Sequence, residues 1–476
     1  MSSAFAFRTI RELSRGFARK DFSPTDLLED VIARYETLEP RLKMFAHVDF
    51  EQARIEARAA EKRMMRGERV SELDGIPTAI KDLIAVKGMP QRFGSRAVPD
   101  TPVSVDAPSV ERLREAGAVI LGKSTTSEFG SKAVGDSPLC GITRNPWNPA
   151  MTPGGSSCGA AAMVAAGLVP YAVGTDGGGS VRIPAALTGL CGVKGHFARV
   201  PVYPTPATPT LAHVGPLART VEDTATVLSV IAGYDRRDPF TLPGGLPDFV
   251  GATRNFVGAT RSRRQMKIAW SPTLGYGRAD REVLDLCERA VRRIEGMGFA
   301  VEQVDHIMDD PFSLWASEFY AGVGTKLRTA VEEHPDLLDP AVLNVLKQAL
   351  NQDMQTYYQN VFARYAFRET MRRLFETYDL LLTPTVPVTA FEAGRDLPPG
   401  YEDRDIVSWS TFTYPFNLTG QPAASVPAGF SEEGLPVGLQ VVGAAHDEAS
   451  VLSLAGAHEA ASGDDVPCRP DLAGAT

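Results

Sequence analysis

The sequence predicts an α/β protein, a mixed, twisted β-sheet covered by helices on both faces. Three observations carry that prediction. Short apolar, β-branched runs alternate with amphipathic stretches, as in "GIPTAIKDLIAV", "SVERLREAGA" and "AVILGK". The 476 residues are enough for a large core. No internal repeat, heptad array or low-complexity tract points to a solenoid or fibre. No linker is clean enough to cut the chain, so residues 1–476 read as one domain. Within it lie N-terminal helices (1–70), a glycine-rich core (71–235), a helical insertion or cover (310–378) and a C-terminal part of the core (379–476).

The first twenty residues are broken by Arg8, Arg11 and Glu12 before any apolar run develops, so they read as an amphipathic helix and not a secretory signal. "SPTDLLEDVIARYETLEP" opens a helix well, with Ser23 as N-cap, Pro24 at the first helical position and Asp26 in the first turn. The small-apolar run from Ala160 to Gly174 contains Gly167 and Pro170 and is too short to span a bilayer. It reads as a buried helix followed by a buried strand. "TVEDTATVLSVIAG" has a helical period, and a looser Pro/Gly/Thr-rich region runs from Tyr203 to Phe256. "KIAW" opens a second βα unit whose helix is "DREVLDLCERAVRRIEGMG". Long helices with polar faces fill 310–378, and "YDLLLTPTVP" and "GLPVGLQVVG" return to strand.

Composition narrows the function classes. Lysine and arginine number 49 against 58 acidic residues, a net charge of −9, which disfavours a general nucleic-acid binder. The five cysteines (Cys140, Cys158, Cys191, Cys287, Cys468) are odd in number and lack zinc-type spacing, which favours reduced thiols in a cytoplasm. "GAVILGKS" (Gly117–Ser124) formally satisfies the P-loop pattern, but its four intervening residues are Ala, Val, Ile and Leu. Those belong inside a strand, and no convincing helix follows. None of the seven histidines sits in H-E-x-x-H. His196 and His213 lie near the glycine-rich region and could act as bases, but neither has an acidic neighbour in sequence, and a polar or packed role is favoured. "DHIMDD" (Asp305–Asp310) reads as the cap of a helix starting near Pro311 and not as a metal site. Cys158 precedes a helix and could be a nucleophile, though a small packed residue is the preferred reading.

The chemistry concentrates in "TDGGGSVRIPA" (Thr175–Ala185), where Ser180 follows Gly177, Gly178 and Gly179. A serine hydroxyl needs a base, and glycines free the backbone to turn N–H groups toward a site. Lys81 ends an apolar, strand-like run, which places its amine in or beside the core. Ser156 and Ser157 follow a Gly-Gly turn and precede a small-residue helix. Ser156 and Ser180 are 24 positions apart. A helix running out and a strand returning bring them to the same side of the sheet. Singly, each residue has an ordinary alternative: Lys81 a surface lysine, Ser156 an N-cap, the glycines a tight turn. Their order and spacing favour the catalytic reading.

"GIPTAIKD", "PGGSSCGAAAMVAAGLVP" and "GTDGGGSVRIPAALTGLCGVKG" are similar to the core of the amidase signature family, and "STTSEFG", "GITRNPWNP", "GPLARTVEDTA", "LLTPTVP" and "FNLTGQPAASVPAG" extend the resemblance along nearly the whole chain. The resemblance implies the amidase signature fold and a triad of Lys81, a cis-configured Ser156 and the nucleophile Ser180. It implies an oxyanion hole from the N–H groups of Gly177, Gly178, Gly179 and Ser180 itself. Ser157, Asp176 and Arg182 would support the site, the last two bracing the turn unless they form only a surface ion pair. Gly130 would line the acyl pocket, and Trp409, with Phe412, Tyr414 and Phe416, would lie near the substrate pocket or equally belong to the core. The activity implied is hydrolysis of a small carboxylic amide, or a related hydrazide or urea-type bond, through an acyl-serine, without cofactor or metal. The alternative is the glutaminase A-type subunit of a tRNA-dependent amidotransferase. Expected surroundings are a small-molecule amide, no nucleic acid, no membrane and a homodimer. Departures from the family pattern occur at Gly177, Thr125, Cys158, Gly195 and His196, none of them in the triad.

Overall fold

The computed structural model describes residues 5–254, 266–463, 469–470 and 472; Cys468, Phe256 and residues 1–4 lie outside them. Thirteen strands occur in the described residues: β1 (Phe45–Val48), β2 (Pro77–Lys81), β3 (Val119–Ser124), β4 (Asp136–Ser137), β5 (Gly141–Ile142), β6 (Tyr171–Asp176), β7 (Cys191–Lys194), β8 (His213–Ala218), β9 (Lys267–Trp270), β10 (Ala300–Gln303), β11 (Leu380–Pro384), β12 (Ala423–Phe430) and β13 (Pro436–Gly443). β4 and β5 form a small hairpin. The other eleven make one sheet in the order β1-β3-β2-β6-β8-β7-β12-β13-β11-β9-β10. Its pairing is mixed: β3, β2 and β6 run parallel, β8 returns antiparallel to β6 and β7, and β9 is parallel to both β10 and β11. Helices surround this sheet, and the fold is α/β.

Local chemistry explains the elements. The helix Pro24–Leu42 starts on a reciprocal cap, with the Asp26 N–H donating to Ser23 Oγ and the Ser23 N–H to the Asp26 carboxylate. Helix Cys158–Ala165 is buried on all sides, as its Ala-rich, uncharged sequence requires. "GAVILGKS" is the buried strand β3 with its approach; Lys123 lies 3.4 Å from Asp82 and donates to the Ile84 carbonyl, so its charge is met inside the fold. The strand predicted in "GIPTAIKDLIAV" ends at Lys81, and a turn follows. No helix among the described residues is long and apolar enough to cross a membrane.

This topology sets the site. β2 and β6 are parallel, so Lys81 and Asp176 emerge at the same end of the sheet, and β8 begins there at His213, opposite Asp176. Ser157 and Ser180 are tied directly, the Ser157 N–H donating to the Ser180 carbonyl at 3.2 Å.

Candidate active site

Lys81 ends β2 with no exposure to solvent. Its Nζ lies 2.8 Å from Ser156 Oγ, 2.9 Å from Ser157 Oγ and 2.9 Å from Thr175 Oγ1. Burial pulls its pKa down to about 7, against the opposing pull of Asp176. Near neutral pH a substantial fraction is therefore free amine, able to accept a proton. Thr175 opens the "TDGGGSVRIPA" stretch, but nothing in that stretch points to it as a partner of Lys81; it sits one strand away, where side chains of β6 reach toward those of β2.

Ser156 follows a cis peptide bond from Gly155. A Cβ on Gly155 would sit 2.2 Å from the Val134 carbonyl oxygen, so only glycine fits. Ser156 and Ser180 both line one cavity, and Ser180 Oγ has no hydrogen-bond partner among the described residues. The Lys81–Ser156 hydrogen bond is a contact along which a proton can pass.

The turn after β6 is organised around Asp176. Its carboxylate accepts the N–H groups of Gly179 (2.8 Å) and Val181 (3.2 Å), two bonds from the Arg182 guanidinium and one from Asn417 Nδ2. Burial opposes its ionisation, yet the adjoining Arg182 guanidinium outweighs this and holds the carboxyl well below the usual range. Asp176 and Arg182 are both fully buried, so the pair is an internal brace and not a surface ion pair. One expectation changes here. The Gly179 N–H is taken by Asp176 and is not available as an oxyanion donor. The N–H groups of Gly177, Gly178 and Ser180 have no protein acceptor among the described residues.

The cavity beside Ser180 has a volume of about 340 Å³. Phe93, Phe129, Val98, Phe319 and Val323 line it with the proline-rich segment 201–206, and Lys326 is the one lysine or arginine on its wall among the described residues. Gly130 is on the wall as well. Trp409 is not: it is fully buried in a separate core cluster, its ring edge-on to Phe391 at 5.5 Å. Phe412, Tyr414 and Phe416 are also core residues. Aromatic spacing in a sequence does not reveal which side of the sheet receives the rings, and here the packing face won.

His213 lines the cavity, but its Nδ1 lies 2.8 Å from the Leu211 carbonyl and its Nε2 3.5 Å from Lys194 Nζ. Burial keeps it neutral. Burial likewise pulls His196 down to about 3, beside His446. Cys158 is a buried thiol whose pKa burial raises, packed against Thr125. Asp310 accepts the Phe312 N–H at the start of the helix Phe312–Lys326. No group of three or more His, Cys, Asp or Glu able to hold a metal occurs among the described residues.

Comparison with known proteins agrees with this architecture. The Amidase family model matches residues 26–452. An acylamidase of Rhodococcus erythropolis is 34% identical over 464 residues, covering 94% of each chain. The A-type subunit of a glutamyl-tRNA(Gln) amidotransferase from Chloroflexus aggregans is 33% identical, with 98% of this chain and 99% of the relative covered. The crystal structure of a bacterial aryl acylamidase of the amidase signature enzymes superposes with a TM-score of 0.89 at 31% identity, covering 97% of both chains. The chain belongs to the amidase family. It is an enzyme that hydrolyses amide C–N bonds.

Proposed function

We propose that the enzyme is a stand-alone acylamidase whose nucleophile is Ser180, with Ser156 as proton relay and Lys81 as base. The observation that carries this reading is the buried Lys81 amine, its pKa pulled down to about 7 by burial, hydrogen-bonded to Ser156, which lines the same apolar cavity as Ser180. Ser180 Oγ attacks the amide carbonyl carbon, its proton passing to Ser156 Oγ while Ser156 gives its own to Lys81 Nζ. The N–H groups of Gly177, Gly178 and Ser180 receive the charge that forms on the carbonyl oxygen. Collapse breaks the C–N bond; the departing nitrogen takes a proton from Ser156, which Lys81 replenishes. Water then attacks the acyl-serine, its proton passing through Ser156 to Lys81; the bond between the carbonyl carbon and Ser180 Oγ breaks, Ser180 takes a proton back by the same route, and the carboxylic acid departs.

The wall chemistry supports an apolar or aryl acyl group. The glutaminase reading draws on the amidotransferase relatives, but free glutamine carries a carboxylate and an ammonium. Among the described residues no acidic side chain lines this cavity to receive the ammonium. The four cysteines among the described residues are free thiols, which supports a cytoplasmic setting. The experiment is a panel of aryl, aliphatic and amino-acid amides, hydrazides and ureas with the purified chain alone. Release of amine from aryl or apolar amides without other protein chains or ATP is expected. Glutamine hydrolysis that appears only with partner proteins and charged tRNA would overturn the assignment.

A further inference from the structure

Four consecutive carbonyls of the glycine turn each receive a donor. Asn417 Nδ2 reaches the Asp176 oxygen at 2.9 Å, Trp315 Nε1 the Gly177 oxygen at 2.7 Å, Thr413 Oγ1 the Gly178 oxygen at 2.7 Å, and the Ile183 N–H the Gly179 oxygen at 2.7 Å. In a trans peptide the C=O and the next residue's N–H point to opposite sides of the chain. Fixing a carbonyl therefore aims the following N–H. The Gly177–Gly178 peptide is such a plane: its oxygen is held by the indole, and its Gly178 N–H has no protein acceptor among the described residues.

From this we infer that Trp315 is a positioning residue for the oxyanion hole, its indole N–H orienting the Gly177–Gly178 peptide so that the Gly178 N–H meets the developing oxyanion. Trp315 comes from the helix Phe312–Lys326, whereas the other three donors come from 183, 413 and 417. It is the contribution of the 310–378 helical segment to the geometry of the turn. The indole is itself immobilised, stacked on Phe319 at 4.5 Å and 20°, edge-on to Tyr320 at 5.4 Å, and 1% exposed. The fit is mutual. A Cβ on Gly178 would lie 2.7 Å from the indole ring, and one on Gly177 2.8 Å from Phe319, so the glycines let the aromatic pair close over the turn. The indole hydrogen bond to the Gly177 oxygen opposes rotation of this peptide plane.

The inference rests on Ser180 being the nucleophile, and the test separates the two. Trp315→Phe keeps an aromatic ring and deletes the N–H; replacing Trp315 site-specifically with 3-benzothienylalanine deletes the N–H at nearly unchanged shape. Losing an oxyanion donor outright lowers kcat by about 100- to 1000-fold, so misaiming one is expected to lower it by roughly 10- to 100-fold. KM is expected to stay within about twofold, as for an interaction made in the transition state. Affinity for a boronic acid or trifluoromethyl ketone, which mimics the tetrahedral state, falls in parallel, while binding of the product acid does not. A benzothienylalanine variant with unchanged kcat and unchanged affinity for the tetrahedral mimic would overturn the role of Trp315. An active Ser180→Ala variant would instead overturn the reading beneath it.

Discussion

Lys81 Nζ and Ser156 Oγ stand 2.8 Å apart beside the cavity, and the lysine is wholly buried. Such an amine is a base only when unprotonated, and burial brings its pKa to about 7. kcat/KM is therefore expected to rise tenfold per pH unit below about 7 and to level above it, with the limb assigned to the free enzyme. Lys81→Met should lower kcat by about 100- to 10,000-fold. A flat rate profile between acid and mildly alkaline pH, or a Lys81→Met enzyme near wild-type rates, would show that the base lies elsewhere.

The same shift makes a stability prediction. Unfolded Lys81 keeps its proton up to the ordinary value of 10.5, whereas folded Lys81 loses it near 7. Between those values the unfolded chain binds more protons, so this residue makes stability rise with pH across that window. Below about 7 both states are protonated and the penalty of burying the charge is full and constant. The slope of the unfolding midpoint against pH should be reduced in Lys81→Met. Identical slopes in the two proteins would contradict the buried, neutral amine.

The Asp176–Arg182 pair argues for a different kind of variant. Both side chains are fully buried, and Arg182 also donates to Asn417, Gln440 and the Thr413 carbonyl. Removing one partner of such a pair leaves an uncompensated charge in the interior, at a cost of about 3–5 kcal/mol. Arg182→Met should lose stability of that order in thermal or urea unfolding and lose activity with it, because the carboxylate organises the turn that carries Ser180. A loss below about 1 kcal/mol, the size of an exposed ion pair, would show that the pair does not brace the turn.

Sequence made some of this legible and not the rest, for physical reasons. Lys81, Ser156 and Ser180 stand out because strand, turn and helix signals surround them at fixed spacing, and the P-loop match fails because its apolar filling marks β3. Asp176 and Arg182 are visible as charges flanking the turn, but whether they are buried depends on Asn417 and Gln440, which stand 235 and 258 positions from Arg182. The donors Trp315 and Thr413 are also distant in chain, so no local pattern joins them to the glycines. Trp409 illustrates the converse: an aromatic cluster marks a core or a pocket equally well, and only packing decides.

Gly130 offers a test at the cavity wall. Its φ of +69° is left-handed, and a Cβ there would lie 2.9 Å from Leu83 Cδ1 and 3.2 Å from Ser156 Oγ. Gly130→Ala should cost roughly 1–2 kcal/mol of stability from the backbone alone. Its effect on kcat should be disproportionate, about tenfold or more, because the new methyl crowds the Ser156 hydroxyl proposed as the relay, and a small misplacement of such a group is costly. Unchanged kcat together with the stability loss would confine Gly130 to a backbone role.

Phe93 and Phe129 face each other at 6.0 Å, nearly parallel at 24°, and both line the cavity. A planar aryl group on the acyl side could pack with such a pair, and aromatic contacts contribute about 0.5–1.5 kcal/mol beyond the area they bury. Phe93→Ala should therefore raise KM for aryl amides by about tenfold while leaving that for short aliphatic amides within about twofold. Trp409→Phe provides the control: it lies in a separate core cluster, so it should lower stability without changing the ratio of aryl to aliphatic kcat/KM. If Phe93→Ala left that ratio unmoved, or Trp409→Phe shifted it, the apolar cavity beside Ser180 would not be the place where the acyl group is read.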